Sequence, residues 1–181
     1  MRLRHSLSLA FRKKLKCIIL IDKRIKHPPL FMANIIQREV FIMEYKRFGN
    51  TIYLRLDPKE EILEEIGKVA KKENIRLAQV TGLGAINDFT AGVYNTETKE
   101  YHSIHFQGAF EIVSLTGTVT RKDGDVYLHL HIAAGDEEGH VHGGHLNRAI
   151  ISATAEIQIQ VIDGEIGREF SQEIGLNLFK F

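Results

Sequence analysis

Five of the nine histidines in this 181-residue chain fall within seventeen consecutive positions: His129, His131, His140, His142 and His145. Neutral imidazole is the commonest metal ligand, and it is also the side chain that titrates near physiological pH. The run Val126-Tyr127-Leu128-His129-Leu130-His131-Ile132 alternates as a half-buried strand does. Residues i and i+2 of a strand share a face, with Cα atoms roughly 6.5 to 7 Å apart. His129 and His131 can therefore aim at one point and supply nitrogens at the roughly 2.0 to 2.1 Å that zinc requires. The third ligand is expected from His145, because Gly143-Gly144 lets the backbone turn sharply and approach closely. His142 is the reserve ligand. His140, beside the loop Gly135-Asp136-Glu137-Glu138-Gly139, is expected to face solvent. Three neutral donors with an open fourth position suit zinc, with other imidazole-binding divalent ions as alternatives. The competing interpretation is ordinary: strand histidines that are half-buried and hydrogen-bonded to a carboxylate or carbonyl. The single cysteine, Cys17, lies far from this region, so a closed thiolate zinc site is not expected.

The elements that must position these residues are legible from about Met43 onward. Met43 to Phe48 and Thr51 to Leu56 read as short strands around Gly49-Asn50. Asp57-Pro58-Lys59-Glu60 reads as a helix start, with Asp57 as N-cap, Pro58 in the first helical position and Glu60 closing a capping box. Ile62, Leu63, Ile66, Val69 and Ala70 form one apolar stripe of a helix ending near Lys72 to Asn74. Strands follow at Leu77 to Thr81, Phe89 to Tyr94, Tyr101 to Phe106, Glu111 to Thr120, Val126 to Ala133 and Ile150 to Ile162. The two longest are expected to bend or carry bulges. Arg148 to Ala155 could begin as a helical turn. The fold class expected is α+β: one main N-terminal helix and a mostly antiparallel sheet.

Composition sets bounds. With 44% hydrophobic residues the chain can build a sizeable core. One cysteine rules out an intrachain disulfide framework and is compatible with a reducing, cytoplasmic setting. The formal net charge of +1 hides an asymmetry. Residues 1–42 carry ten of the 24 basic and two of the 23 acidic residues, a net +8, which leaves −7 for residues 43–181. The expected organisation is a weakly ordered basic extension over 1–42 and a single domain over 43–181. The apolar run Cys17 to Ile21 is too short for a secretory core or a membrane span, so no membrane partner is expected.

Other motifs exclude common chemistries. Gly82-Leu83-Gly84 lacks the full dinucleotide fingerprint and is expected to mark a bulge or tight bend. There is no P-loop, no Gly-x-Ser-x-Gly, and no nucleophile convincingly paired with a base.

Four pieces in order carry a resemblance: Val80-Thr81-Gly82-Leu83-Gly84-Ala85, Gly108-Ala109-Phe110-Glu111-Ile112-Val113-Ser114-Leu115-Thr116-Gly117, His129-Leu130-His131 and Gly143-Gly144-His145-Leu146. Together they resemble the PPC domain, the plant and prokaryote conserved domain also called domain of unknown function 296, over roughly residues 43 to 181. The resemblance implies a compact α+β domain that assembles as a homotrimer. In plants, similar domains follow AT-hook motifs in nuclear DNA-binding proteins. This chain has no Arg-Gly-Arg-Pro hook, and Ala109 stands where the plant motif carries arginine. It therefore resembles the stand-alone prokaryotic form, some members of which offer His-x-His and Gly-Gly-His to a metal. That pattern matches His129, His131 and His145.

Three functions follow as expectations. The first is a trimeric binding protein with a histidine metal site, whose small anionic ligand would be held by N–H groups of the glycine-rich turn. The second is a DNA-associated regulator, reaching DNA mainly through the basic segment. The third is a zinc-dependent enzyme of unspecified substrate, using Glu111 or Glu156 as a base. Enzymatic activity is the less favoured of these, and no catalytic residue is assigned.

Overall fold

The computed structural model describes residues 44–181; the basic extension expected over 1–42 lies outside the described residues. Strands β1 (Glu44–Phe48) and β2 (Thr51–Leu56) form a hairpin over Gly49-Asn50, in register from Phe48 opposite Thr51 to Glu44 opposite Arg55. Helix α1 spans Ile62–Lys72. Four long strands follow: β3 (Ala78–Asn95), β4 (Glu100–Lys122), β5 (Asp125–Gly135) and β6 (Val141–Val161). A terminal hairpin, β7 (Gly167–Ser171) and β8 (Leu176–Lys180), completes the described chain.

The six-stranded sheet runs β1-β2-β6-β3-β4-β5, every pairing antiparallel, and β6 also pairs with β5. Strands β3, β4, β5 and β6 therefore form a closed ring of pairings. Closure is local. The first residues of β6 lie against β5, from Val141 opposite Gly135 to His145 opposite His131. Its last residues lie against β2 instead, from Ala155 opposite Leu56 to Gln160 opposite Thr51. The cylinder is thus shut at one end and splayed at the other. Helix α1 packs against β5 and β6, its stripe Ile62, Ile66, Val69 and Ala70 fully buried. Alternate residues of the strands meet it: Ile52, Leu54 and Leu56 from β2, Leu115 and Val119 from β4, Leu130 and Ile132 from β5, Ile157 and Ile159 from β6.

The expected α+β class is corrected to a β-rich fold. The helix is eleven residues long and is the sole α-helix among the described residues. It begins at Ile62 because the chain before it is committed to the sheet. Lys59 N–H donates to the Ile151 carbonyl at 2.9 Å, and Ile151 N–H donates to the Glu60 carbonyl at 3.0 Å. Lys59 also holds a left-handed φ of 79°, which no helix accepts. The Asp57 N–H does donate to the Glu60 carboxylate at 2.8 Å, so the capping-box bond forms, but around a turn. Glu61 is the actual N-cap, accepting from Glu64 N–H.

The strands are longer than their sequence patterns suggest. Expected breaks at Gly82–Ala85 and near Gly108 are strand, and bulges between Gly82 and Gly84, Ile86 and Asp88, and Ile112 and Ser114 supply the bends. The helical turn expected at Arg148 is also strand, since Arg148 lies opposite Thr90 and Ala155 opposite both Gly84 and Leu56. Within 111–119 and 156–162, Ile112, Leu115, Val119, Ile157 and Ile159 face the core, while Val113 and Ile162 are exposed, as are Tyr53 and Leu83 elsewhere in the sheet.

Candidate metal centre

Side-chain parity places the histidines. Along β5, Leu130 and Ile132 point into the core, so Tyr127, His129 and His131 point out. On β4 the same parity turns Leu115 and Val119 inward, and Thr116, Thr118 and Thr120 toward the histidine face. Thr118 stands opposite His129 and Thr116 opposite His131. His145 enters from β6, directly opposite His131 on one side and opposite Gly92 of β3 on the other.

All three rings converge. Centroids lie 5.3 Å apart for His129 and His131, 5.1 Å for His129 and His145, and 5.5 Å for His131 and His145. One ring nitrogen from each lies within 4.8 Å of the others. His131 is exposed, while His129 and His145 are half-buried. Strand pairing delivers His145, where the sequence suggested a flexible bend. Gly143 and Gly144 serve close approach. A Cβ on Gly143 would stand 2.1 Å from the Ile132 carbonyl oxygen, and one on Gly144 would stand 2.6 Å from that of Gly92. Gly144 also holds a φ of 151°, a backbone conformation that favours glycine.

The electrostatics favour neutral rings. Burial pushes His129 down to about 4, helped by the positive influence of His145, Arg168 and His131. Burial, then His131, also lowers His145. Neutral imidazole is the form that ligates a metal. Among the described residues, the histidine ring hydrogen bonds are those of His105 to Asp88 and of His142 to Asp136. The three grouped rings make none. They therefore lack the carboxylate or carbonyl partner that an ordinary half-buried histidine takes. The donor set fits a divalent ion: three imidazoles on rigid strands, with one side toward solvent. Two nitrogens on a tetrahedral zinc stand about 3.3 Å apart, so small side-chain rotations suffice.

His142 and His140 sit elsewhere. Three residues before His145, His142 points to the opposite face of β6. Its ring lies 4.9 Å from that of Phe106 and 6.1 Å from that of Phe110, and Nε2 meets the Asp136 carboxylate at 3.0 Å. His140 is exposed beside the same carboxylate. Glu111 stands opposite Gly135, four residues beyond His131 along β5, and Glu156 pairs with Leu83 and Arg55 toward the far end of β6. Neither is brought into the histidine group. The glycine-rich turn read from the sequence as an anion cradle is not a turn: Gly82 and Gly84 are strand paired with β4 and β6, and Gly143 and Gly144 are strand paired with β5.

Two neighbours were not legible in sequence. The Tyr101 ring stands edge-on to His145 with centroids 6.2 Å apart, and its hydroxyl donates to Asn147 Oδ1 at 2.6 Å. Arg168 of β7 reaches Thr118, which stands opposite His129.

Residues 43–163 match the model of the Plants and Prokaryotes Conserved (PCC) domain. Three solved structures illustrate the likeness. A candidate DNA-binding protein from Bacteroides thetaiotaomicron is 31% identical over 77% of this chain and 97% of its own, with a TM-score of 0.75. A metal-containing protein from Archaeoglobus fulgidus is 30% identical over 77% and 99%, with a TM-score of 0.70. A plant- and prokaryote-conserved protein from Pyrococcus horikoshii is 34% identical over 78% and 96%, with a TM-score of 0.67. No curated protein matches the chain. No helix among the described residues is long and apolar enough to cross a membrane.

Proposed function

The chain belongs to the Plants and Prokaryotes Conserved domain family, and from that premise we propose that it is a cytoplasmic metal-binding protein that holds zinc on His129, His131 and His145. One observation carries this reading: three imidazoles from two strands meet with no protein hydrogen bond to any ring. With no protein partner, a ring nitrogen of each remains free to offer its lone pair to a divalent ion. The Archaeoglobus relative, a metal-containing protein, supports the same reading. Zinc held by three imidazoles supplies a Lewis-acid position open to one further ligand. Because Glu111 and Glu156 stand apart from the histidines, binding is favoured over turnover.

The working assembly is a homotrimer. Support comes from the outward apolar side chains Leu83 and Val113, exposed by 56% and 64% on the adjacent strands β3 and β4, and Tyr53, exposed by 52% on β2. Patches of that kind usually mark contacts. The test is direct. Protein purified without an affinity tag or chelator should carry one zinc per chain by elemental analysis and sediment at three times the chain mass. Substoichiometric metal, even after zinc is supplied and excess removed, defeats the zinc assignment. Sedimentation as a monomer defeats the trimer.

A second reading, association with DNA, is supported by the Bacteroides relative, a candidate DNA-binding protein. In this chain the net +8 of residues 1–42 would carry it, since residues 43–181 carry −7. Duplex binding by the full chain at about 50 mM salt, steeply lost by about 200 mM and lost altogether in a chain starting at Met43, is the expected result. Equal binding by both chains would remove the basic segment from the account.

A further inference from the structure

Arg168 is the most unusual charge near the histidines. Its guanidinium is partly buried beneath the terminal hairpin, stacked 4.2 Å from the ring centroid of Phe179 and 4.9 Å from that of Tyr127. Nε donates to Thr120 Oγ1 at 3.1 Å, Nη1 to the Asn177 carbonyl at 3.1 Å and Nη2 to Thr118 Oγ1 at 3.3 Å. Every one of these acceptors is neutral. No Asp or Glu pairs with it among the described residues, although residues 43–181 hold 21 acidic side chains against 14 basic ones. Fully buried arginines are almost always paired; Arg168 is partly buried and meets neutral acceptors alone. Holding the hairpin in place needs only the stacking and neutral hydrogen bonds. The uncompensated charge calls for an anion.

Its position points to where that anion sits. Thr118, which accepts from Nη2, stands directly opposite His129 in the β4–β5 ladder. Cross-strand partners have Cβ atoms about 5 Å apart. Tyr127, which stacks on the guanidinium, is two residues before His129 on the same face. Three of the five guanidinium N–H groups are committed, which leaves two.

We propose that the open side of the histidine site accepts a small oxyanion, a carboxylate or a phosphate, gripped by Arg168. The inference rests on the metal reading above and narrows its ligand to one chemical class. A planar arginine fork matches both anions and is poorly replaced by lysine. It also relocates the anion contact from glycine-rich backbone, as the sequence suggested, to a side chain of β7.

Cobalt(II) in place of zinc makes the test optical, because its visible spectrum changes when a further ligand enters. The loaded full chain is titrated with acetate, with inorganic phosphate and with neutral imidazole. Acetate, phosphate or both should shift the spectrum, and the tighter of the two identifies the ligand class. Arg168→Gln should weaken that anion about tenfold or more while leaving imidazole unchanged. Arg168→Lys should fall between the two. Should the glutamine variant fail to fold, the lysine variant decides: weaker anion binding with unchanged imidazole binding supports the inference. Cobalt binding with equal anion affinity in all three proteins overturns it. So does parallel loss of anion and imidazole, which would make Arg168 a structural pin. Failure of the unmutated chain to bind cobalt at all is a different result. It defeats the metal reading and removes the oxyanion site with it.

Discussion

Two sets of histidines behave as opposites. In one, His129, His131 and His145 gather with no carboxylate and no ring hydrogen bond. In the other, His142 and the exposed His140 share Asp136, and His105 pairs with Asp88 at 3.2 Å. Asp88 also binds Arg148 and Gln107, and Asp136 takes the N–H groups of Glu138 and His140. A ring nitrogen already held by a carboxylate is not free for a cation, whereas the three grouped rings keep theirs free. Residue type alone does not separate the two roles; the neighbours across the ladder do.

The largest effect tests that partition directly. His129→Ala, His131→Ala and His145→Ala should each lower zinc affinity more than about 100-fold, since even residues behind the ligands commonly contribute 10- to 100-fold. His105→Ala and His142→Ala should stay within about threefold of the unmutated chain. Competition against a chromophoric chelator reads both sets. A His142 variant as damaged as the His145 variant would dissolve the contrast.

A backbone change should sharpen it with a smaller effect. Gly144→Ala places a Cβ against the Gly92 carbonyl where β6 is wedged between β3 and β5. Gly139→Ala, in the loop beside Asp136, carries a φ of 83° but has nothing within 4 Å of its new Cβ. The first variant combines clash with strain and should lose about 2 kcal/mol or more by urea denaturation, together with zinc affinity. The second carries strain alone and should lose about 1 kcal/mol with zinc affinity unchanged. Equal losses in both would show that close approach at His145 is unimportant.

The residues explain what could be read in advance. His129 and His131 were legible because a strand has a period of two, and the alternating leucines betray it. His145 was legible as the third histidine, but the structure delivers it through the register of His131 opposite His145. The double glycine resembles a turn; in fact it admits two neighbouring backbones. The helix stripe was plain, yet its start moved from Pro58 to Ile62 because Lys59 and Glu60 hydrogen-bond to Ile151, about ninety residues away. Long-range pairing also hid the merging of short patterns into strands of 18, 23 and 21 residues. Arg168 was invisible for the same reason. Nothing near it in sequence indicates that the terminal hairpin returns over Thr118 and Thr120.

The smallest effect belongs to the carboxylate side and has a defined pH window. The His142 hydrogen bond, against a modest cost of burial and with help from the His140 N–H, holds the Asp136 carboxyl below its ordinary value. A group whose folded pKa lies below its unfolded value, about 3.9 for aspartate, contributes stability that is complete above the unfolded value. That contribution disappears as pH falls through the folded value. Asp136→Asn removes the ionisable group and keeps an acceptor oxygen for the Glu138 and His140 N–H groups. Urea midpoints of the two proteins should therefore differ at pH 6, with the gap narrowing as pH falls below about 4 and closing only below the folded value. If the gap persists unchanged to pH 3, the asparagine is felt through shape or packing, and the ionised Asp136 carboxylate is not what holds the His142 ring in place.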